Sequence, residues 1–276
     1  MVLFATMFIL TTFVIGCSFC CLALWTIHKS KTLRESFGLL CKYQMMADLC
    51  LLTLSTFYCL LPKEYAPLDS SPINIVVCFA CEIFNHYSGA MHDLFAVNRF
   101  VYIVFPNMQH SWRNATPKIL FVCAIVTIWH TLLMIMLDIN LYFTYDRDIF
   151  IWHLTDSPWT DFYVQYFELY WSTGELGLIA LLDTITFAHI ILKKSKISET
   201  DAPMNRRAET RLILQSFCQC IPTTTVNVIF FFVFPGTKSP NLQTVYSAIW
   251  IVTNVMDAFI IILFHFPQAL ASSRKQ

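Results

Sequence analysis

Residues 2–27 read VLFATMFILTTFVIGCSFCCLALWTI, an unbroken run without a single charged side chain. An α-helix rises about 1.5 Å per residue and the hydrocarbon core of a bilayer is about 30 Å thick, so roughly 20 such residues suffice to cross it. Six further long apolar stretches follow, at 39–61, 73–105, 118–137, 163–192, 209–234 and 242–264. Strands of a membrane barrel would be about 10 residues long and alternating, and lipid tolerates no unpaired backbone, so runs of this length are read as helices. The expectation is an all-α membrane protein: one seven-helix transmembrane domain over residues 1–276. Composition agrees, because 57% hydrophobic and 13% charged residues with a mean hydropathy of +0.58 exclude a soluble globular domain.

Proline placement is an independent check, since proline removes a backbone donor. Ten of the 11 prolines fall in or beside the proposed loops, and only Pro222 lies inside a span. Charge placement orients the bundle. Of 18 Lys and Arg, all but Lys63, Arg147 and Lys238 gather in or beside the loops at 28–38, 106–117 and 193–208 or in the carboxyl tail. That asymmetry puts the amino terminus outside and the carboxyl terminus in the cytosol. The basic rim suits anionic inner-leaflet lipid, and the outer loops carry Glu64, Asp69, Asp138, Asp146, Asp148, Asp156 and Asp161. The first stretch exceeds the 7–15 apolar residues of a signal peptide and is expected to be a retained anchor. The N-x-T sequon at Asn114 falls on the cytosolic side and is expected to stay unglycosylated.

The 11 cysteines sit in or at the edges of spans and outline no disulfide framework, and the Cys17, Cys20, Cys21 cluster reads as packing. Polar residues within spans carry more information, because charge in hydrocarbon is kept facing the bundle interior. In the third span Asn85, Ser88, His92 and Arg99 share one narrow helical face, and Glu82, His86 and Asp93 form a second about 100° round. A helix with two polar faces belongs in the middle of a bundle. Asp48 and Asp257 need a shared polar cavity wherever they lie in lipid. Arg99, taken alone, could be a snorkelling interfacial arginine.

Its neighbours add to that. Ala96-Val97-Asn98-Arg99-Phe100, followed by Pro106, resembles the arginine motif that closes the third helix of rhodopsin-like G-protein-coupled receptors, in the Asn-Arg-Phe form of nematode chemoreceptors. Ser36-Phe37-Gly38-Leu39-Leu40-Cys41 and the pattern Trp250, Asp257, Phe264 are similar to the serpentine receptor class x family of those chemoreceptors. The resemblance implies a G-protein-coupled chemosensory receptor in the plasma membrane, expected in sensory-neuron cilia, that turns binding of an outside small molecule or peptide into activation of a heterotrimeric G-protein. It makes Asn98, Arg99 and Phe100 the coupling segment and Pro222 the kink of a moving sixth span. It makes Asp48, Ser88 and Asp257 a pocket for a sodium ion or water.

Several positions depart from the superfamily pattern. Asn98 replaces the usual acid, leaving Glu209 as a candidate restraint on Arg99. Asn74 stands where the disulfide cysteine is expected, Cys20 replaces the first span's asparagine, and no Pro-x-x-Tyr follows Asp257. The outer loop is therefore not expected to be pinned in the usual way. Trp129 fits the fold's fourth-span tryptophan.

A ligand pocket is expected between spans three, five, six and seven, with Cys81, Glu82, Asn85, His86, Trp171, Thr223, Asn227, Tyr246 and Trp250 as candidates. Glu82 and His86, four apart, suit a polar ligand contact or a local ion pair. No lysine lies in span seven for a retinal Schiff base. No nucleic-acid partner, cofactor, enzymatic activity or metal site is expected, because the histidines show no H-x-x-x-H or H-E-x-x-H spacing. The alternatives are a proton-coupled or small-solute transporter using acids such as Asp93, Glu175 and Asp183, or a diverged, non-signalling receptor homologue. Against transport, the chain has no repeated halves and one mid-span proline.

Overall fold

The computed structural model describes residues 2–30, 36–61, 72–146, 151–196, 203–233 and 239–273. Among them are seven long helices: α1 (Val2–Lys29), α2 (Ser36–Leu60), α3 (Pro72–Val104), α4 (Gln109–Leu137), α5 (Tyr170–Lys196), α6 (Pro203–Val228) and α7 (Pro240–Ser273). A helical turn at Thr160–Tyr163 and a π-helical segment at Val164–Leu169 lead into α5, and a second π-helical segment, Ile229–Val233, continues α6. Proline opens α3, α6 and α7, where its missing N–H has no intrahelical partner to lose. Five helices, within Thr6–Lys29, Ser36–Leu60, Pro106–Leu137, Thr160–Leu192 and Thr244–Pro267, are long and apolar enough to cross a membrane. The apolar part of α6 is the shorter Phe217–Val233. α3 is diluted by the polar side chains of its two inward faces.

The chain is a multi-pass membrane protein by this measure, and its surface agrees. Phe57, Ile73, Val76, Phe121, Met136 and Phe232 are each at least 65% exposed, apolar area that water would penalise and lipid accepts. Trp129 belongs with them, at 57% exposed.

The proline reading needs correction. α4 begins at Gln109, so most of the expected loop 106–117 is helix, preceded by one 3-10 turn at Pro106–Met108. Trp112 and Gln109 dock this extension on α3, through Trp112 Nε1 to Asn98 Oδ1 (2.8 Å) and Gln109 Nε2 to the Tyr102 carbonyl (3.0 Å). That docking offsets the bond forgone at Pro117, which lies inside α4. Pro267 likewise lies inside α7, so among the described residues three prolines, not Pro222 alone, are inside helices.

α3 is central, touching α2, α4, α5, α6 and the first strand of the α4–α5 loop, as its two polar faces predict. α1 lies against α2 and α7. At Gly16 a Cβ would come within 2.8 Å of Val255 Cγ2 and 2.9 Å of Leu52 Cδ1, an approach only glycine permits without displacing a neighbour. The loop between α4 and α5 folds into a hairpin of β1 (Phe143–Asp146) and β2 (Ile151–Leu154), pairing Tyr145 with Trp152. Both rings are buried, and Trp152 packs on Tyr58 (centroids 5.6 Å) and Trp250 (6.4 Å). No disulfide joins any of the 11 cysteines. As expected the loop is not pinned by a disulfide; aromatic burial of Tyr145 and Trp152 holds it instead. At its base Asp138 accepts from the Ser157 hydroxyl and the Asn140 amide, which hold its carboxyl below the ordinary carboxylate range.

Candidate functional site

Three polar clusters line α3, and each draws in neighbours that helical periodicity on one span cannot reveal. At the end nearest Pro106, Arg99 is 3% exposed and grips Asp183 of α5 in two-pronged fashion: Nη2 lies 2.8 Å from Oδ1 and 3.1 Å from Oδ2, and Nε lies 3.2 Å from Oδ1. Asp183 is thus the carboxylate that pairs with Arg99 among the described residues. Glu209's side chain lies outside the described residues. Bidentate guanidinium–carboxylate pairs are among the stronger hydrogen-bonded contacts, and the Asp183 side chain remains 30% exposed. Asn98, also buried, takes Ser36 Oγ (2.7 Å) and Trp112 Nε1 (2.8 Å) on one oxygen, and Ser36 also reaches the Tyr102 hydroxyl (3.1 Å). Asn98 thus fastens α2 and α4 to α3 beside Arg99. Phe100 packs edge-on against Phe105 (5.4 Å). The Ser36 motif and the Asn98-Arg99 motif, separated by 62 residues of chain, are two halves of one knot.

Farther along α3 from that end sits the second cluster, around Ser88 and His92. Ser88 Oγ donates to Asp48 Oδ1 (2.6 Å), Gln44 Nε2 donates to Asp257 Oδ2 (3.0 Å), and His92 Nε2 lies 3.2 Å from both Gln44 Nε2 and Asp257 Oδ2. The second oxygens of Asp48 and Asp257 and the Gln44 carbonyl oxygen are buried without hydrogen-bond partners among the described residues. Three orphaned oxygens in one buried cluster fit a small cation or water. Sequence reading placed Asp48, Ser88 and Asp257 there and missed Gln44, whose amide bridges α2 to α7.

The third cluster lies in the half of α3 nearest the hairpin. His86 Nε2 is 2.9 Å from Glu82 Oε1 and 3.4 Å from Glu168 Oε1, and its ring lies 4.3 Å from that of His130. His86, His130 and Glu168 present ligand-type atoms within 4.8 Å of one another. They come from α3, α4 and the π-helical segment before α5, so a search for histidine spacing along the sequence could not find them. Trp171 Nε1 donates to Glu175 Oε1 (2.6 Å) on the adjoining turn of α5.

The remaining ligand-pocket candidates scatter. Asn85 accepts from Trp250 Nε1 (3.2 Å), Cys81 is buried under the hairpin with Tyr145 and Trp152, and Thr223 bonds back to its own helix at the Gln219 carbonyl. Asn227 and Tyr246 are half-buried on α6 and α7. An apolar cavity of about 490 Å³ lies elsewhere, between α1, α6, α7 and the hairpin. Phe8, Tyr145, Trp152, Pro222 and Ile249 are among its lining residues, and none of the candidate ligand-contact residues is.

Comparison with known proteins bears on what this architecture serves. A family model described as serpentine type 7TM GPCR chemoreceptor Srx matches residues 9–265. The Caenorhabditis elegans protein named Serpentine receptor class X 45 is 24% identical over 266 residues, an alignment covering 87% of this chain and 72% of that one. A bundle of membrane-length helices, an arginine-bearing central helix and a family match over nearly the whole length together make this chain a member of the serpentine chemoreceptor Srx family, a receptor class and not an enzyme family.

Proposed function

We propose that the chain is a seven-span chemosensory receptor, amino end outside and carboxyl end in the cytosol, that couples binding of an outside chemical to a heterotrimeric G-protein. One observation carries the reading: the buried Arg99 of a chemoreceptor-family chain is held by a breakable pair to Asp183 on the neighbouring helix. In this reading α3 and α6 complete the seven spans, their polar side chains tolerated because neighbouring helices cover them. The basic loops lie at the Arg99 end, the cytosolic one.

The Arg99–Asp183 pair stabilises the resting arrangement of α3 against α5. A ligand that binds the active arrangement more tightly shifts the population towards it. α6 moves as the lever, with Pro222 and the π-helical segment at Ile229–Val233 supplying bend and slack. Arg99, released, meets the tail of the Gα subunit, and Asn98 keeps that end of α3 in register with α2 and α4. The apolar cavity beside Pro222 is where a small apolar molecule can bear on the lever. Asp48, Ser88 and Asp257 hold a sodium ion or water that rigidifies the resting bundle, with Gln44 completing the shell. A sensory-neuron ciliary membrane is the expected location.

Nucleotide exchange on a co-reconstituted G-protein across an odorant panel tests this: at least one compound should accelerate exchange, and Arg99→Ala should abolish the acceleration. Acceleration that survives Arg99→Ala would remove Arg99 from coupling. Ligand-dependent flux into proteoliposomes without any G-protein would make the chain a carrier.

A further inference from the structure

We infer that His86, His130 and Glu168, with Glu82 alongside, form a binding site for a divalent transition-metal ion of the zinc class. The first three approach one another from three separate helical segments to within 4.8 Å. Zinc bonds to imidazole nitrogen and carboxylate oxygen are about 2.0–2.2 Å long, so tetrahedral ligands sit roughly 3.4 Å apart. His86 Nε2 is 3.4 Å from Glu168 Oε1 and 2.9 Å from Glu82 Oε1. Rotamer adjustments within the existing backbone would close the shell.

Hydrogen bonding points the same way. His86 Nε2 and Glu168 Oε1 are buried against each other and Glu82, and His130 Nδ1 is buried without a hydrogen-bond partner among the described residues. His130 itself is 2% exposed. Its other nitrogen, Nε2, lies 3.1 Å from the Phe167 carbonyl, which can only accept. Nε2 therefore carries the proton and Nδ1 the lone pair, the tautomer that metal-bound histidines adopt when a carbonyl orients them. Phe167 and Glu168 are adjacent in the π-helical segment Val164–Leu169, so one local irregularity supplies both the ligand and the group orienting another.

Charge balance favours a dication. Two carboxylates and two neutral imidazoles around a +2 ion sum to zero, the arrangement least penalised in a low-dielectric interior. A mixed set of two nitrogens and two oxygens is borderline in softness and suits zinc over calcium or magnesium, which prefer all-oxygen shells. Bound metal would tie α3, α4 and the start of α5 together in the half of the bundle nearest the hairpin.

Binding is read on the receptor alone, so it stands or falls apart from G-protein coupling. Purified full-length chain in lipid nanodiscs is titrated with Co²⁺, whose visible bands report tetrahedral ligation, and then competed with Zn²⁺. The expected result is one Co²⁺ per chain, no thiolate charge-transfer band, and displacement by Zn²⁺. His86→Gln, His130→Gln and Glu168→Gln should each weaken binding at least roughly 100-fold, while His189→Gln leaves it unchanged. Should a variant fail to fold, checked by thermal unfolding, the wild-type spectrum and stoichiometry decide. No saturable binding by wild-type protein, a thiolate band assigning the metal to cysteine, or unchanged affinity in the folded variants overturns the site.

Discussion

Arg99 and Asp183 lie 84 positions apart in the chain, yet their side chains make the contact on which the switching account depends. The arginine was legible in sequence because a local motif surrounds it. Its partner was not, because a pair between two spans leaves no trace in the spacing of either. The same blindness hid Glu168 and His130 from a search for metal ligands and Gln44 from the Asp48 cluster, whereas Glu82 and His86 were visible as neighbours four apart on one helix. Asp183→Asn keeps the shape and removes the charge. With Asp183 30% exposed, the loss should be about 1 kcal/mol, or roughly fivefold in the resting-to-active equilibrium. Ligand-independent nucleotide exchange by Asp183→Asn should rise by about that factor, and a basal rate equal to wild type would show that the pair does not hold the resting state.

Among the elements, α3 was the most readable, since its two polar faces follow from helical periodicity and each meets a different set of neighbours. The start of α4 was misread, because a polar segment ending in proline looks like a loop unless the docking of Trp112 and Gln109 on α3 is known. The hairpin escaped notice for a related reason: strands of four residues are too short for alternation to stand out, and what holds them is burial under distant rings. Trp152→Ala removes the principal anchor and opens a void beside Tyr58 and Trp250, at a cost of about 3 kcal/mol. The melting temperature of the purified receptor should fall by several degrees, and the hairpin should become sensitive to externally added protease. An unchanged melting temperature with a protected hairpin would mean that the missing disulfide is replaced by something other than these rings.

For the molecule as a whole, composition and the count of apolar stretches identified a membrane protein, and the family match over residues 9–265 agrees. Five helices declare themselves by hydropathy, while α3 and α6 depend on neighbours to shelter their polar groups, which no single-helix measure can register. Close packing at Gly16 joins α1 to α2 and α7, and the three polar clusters join α3 to its neighbours. The proposed seven crossings are an odd number, which places the two ends on opposite sides. The most direct measurement is antibody access to epitope tags at the two termini in intact and permeabilised cells. The amino-terminal tag should stain without permeabilisation and the carboxyl-terminal tag only after it; both tags staining under the same condition would contradict seven crossings and the placement of Arg99 at the cytosolic face.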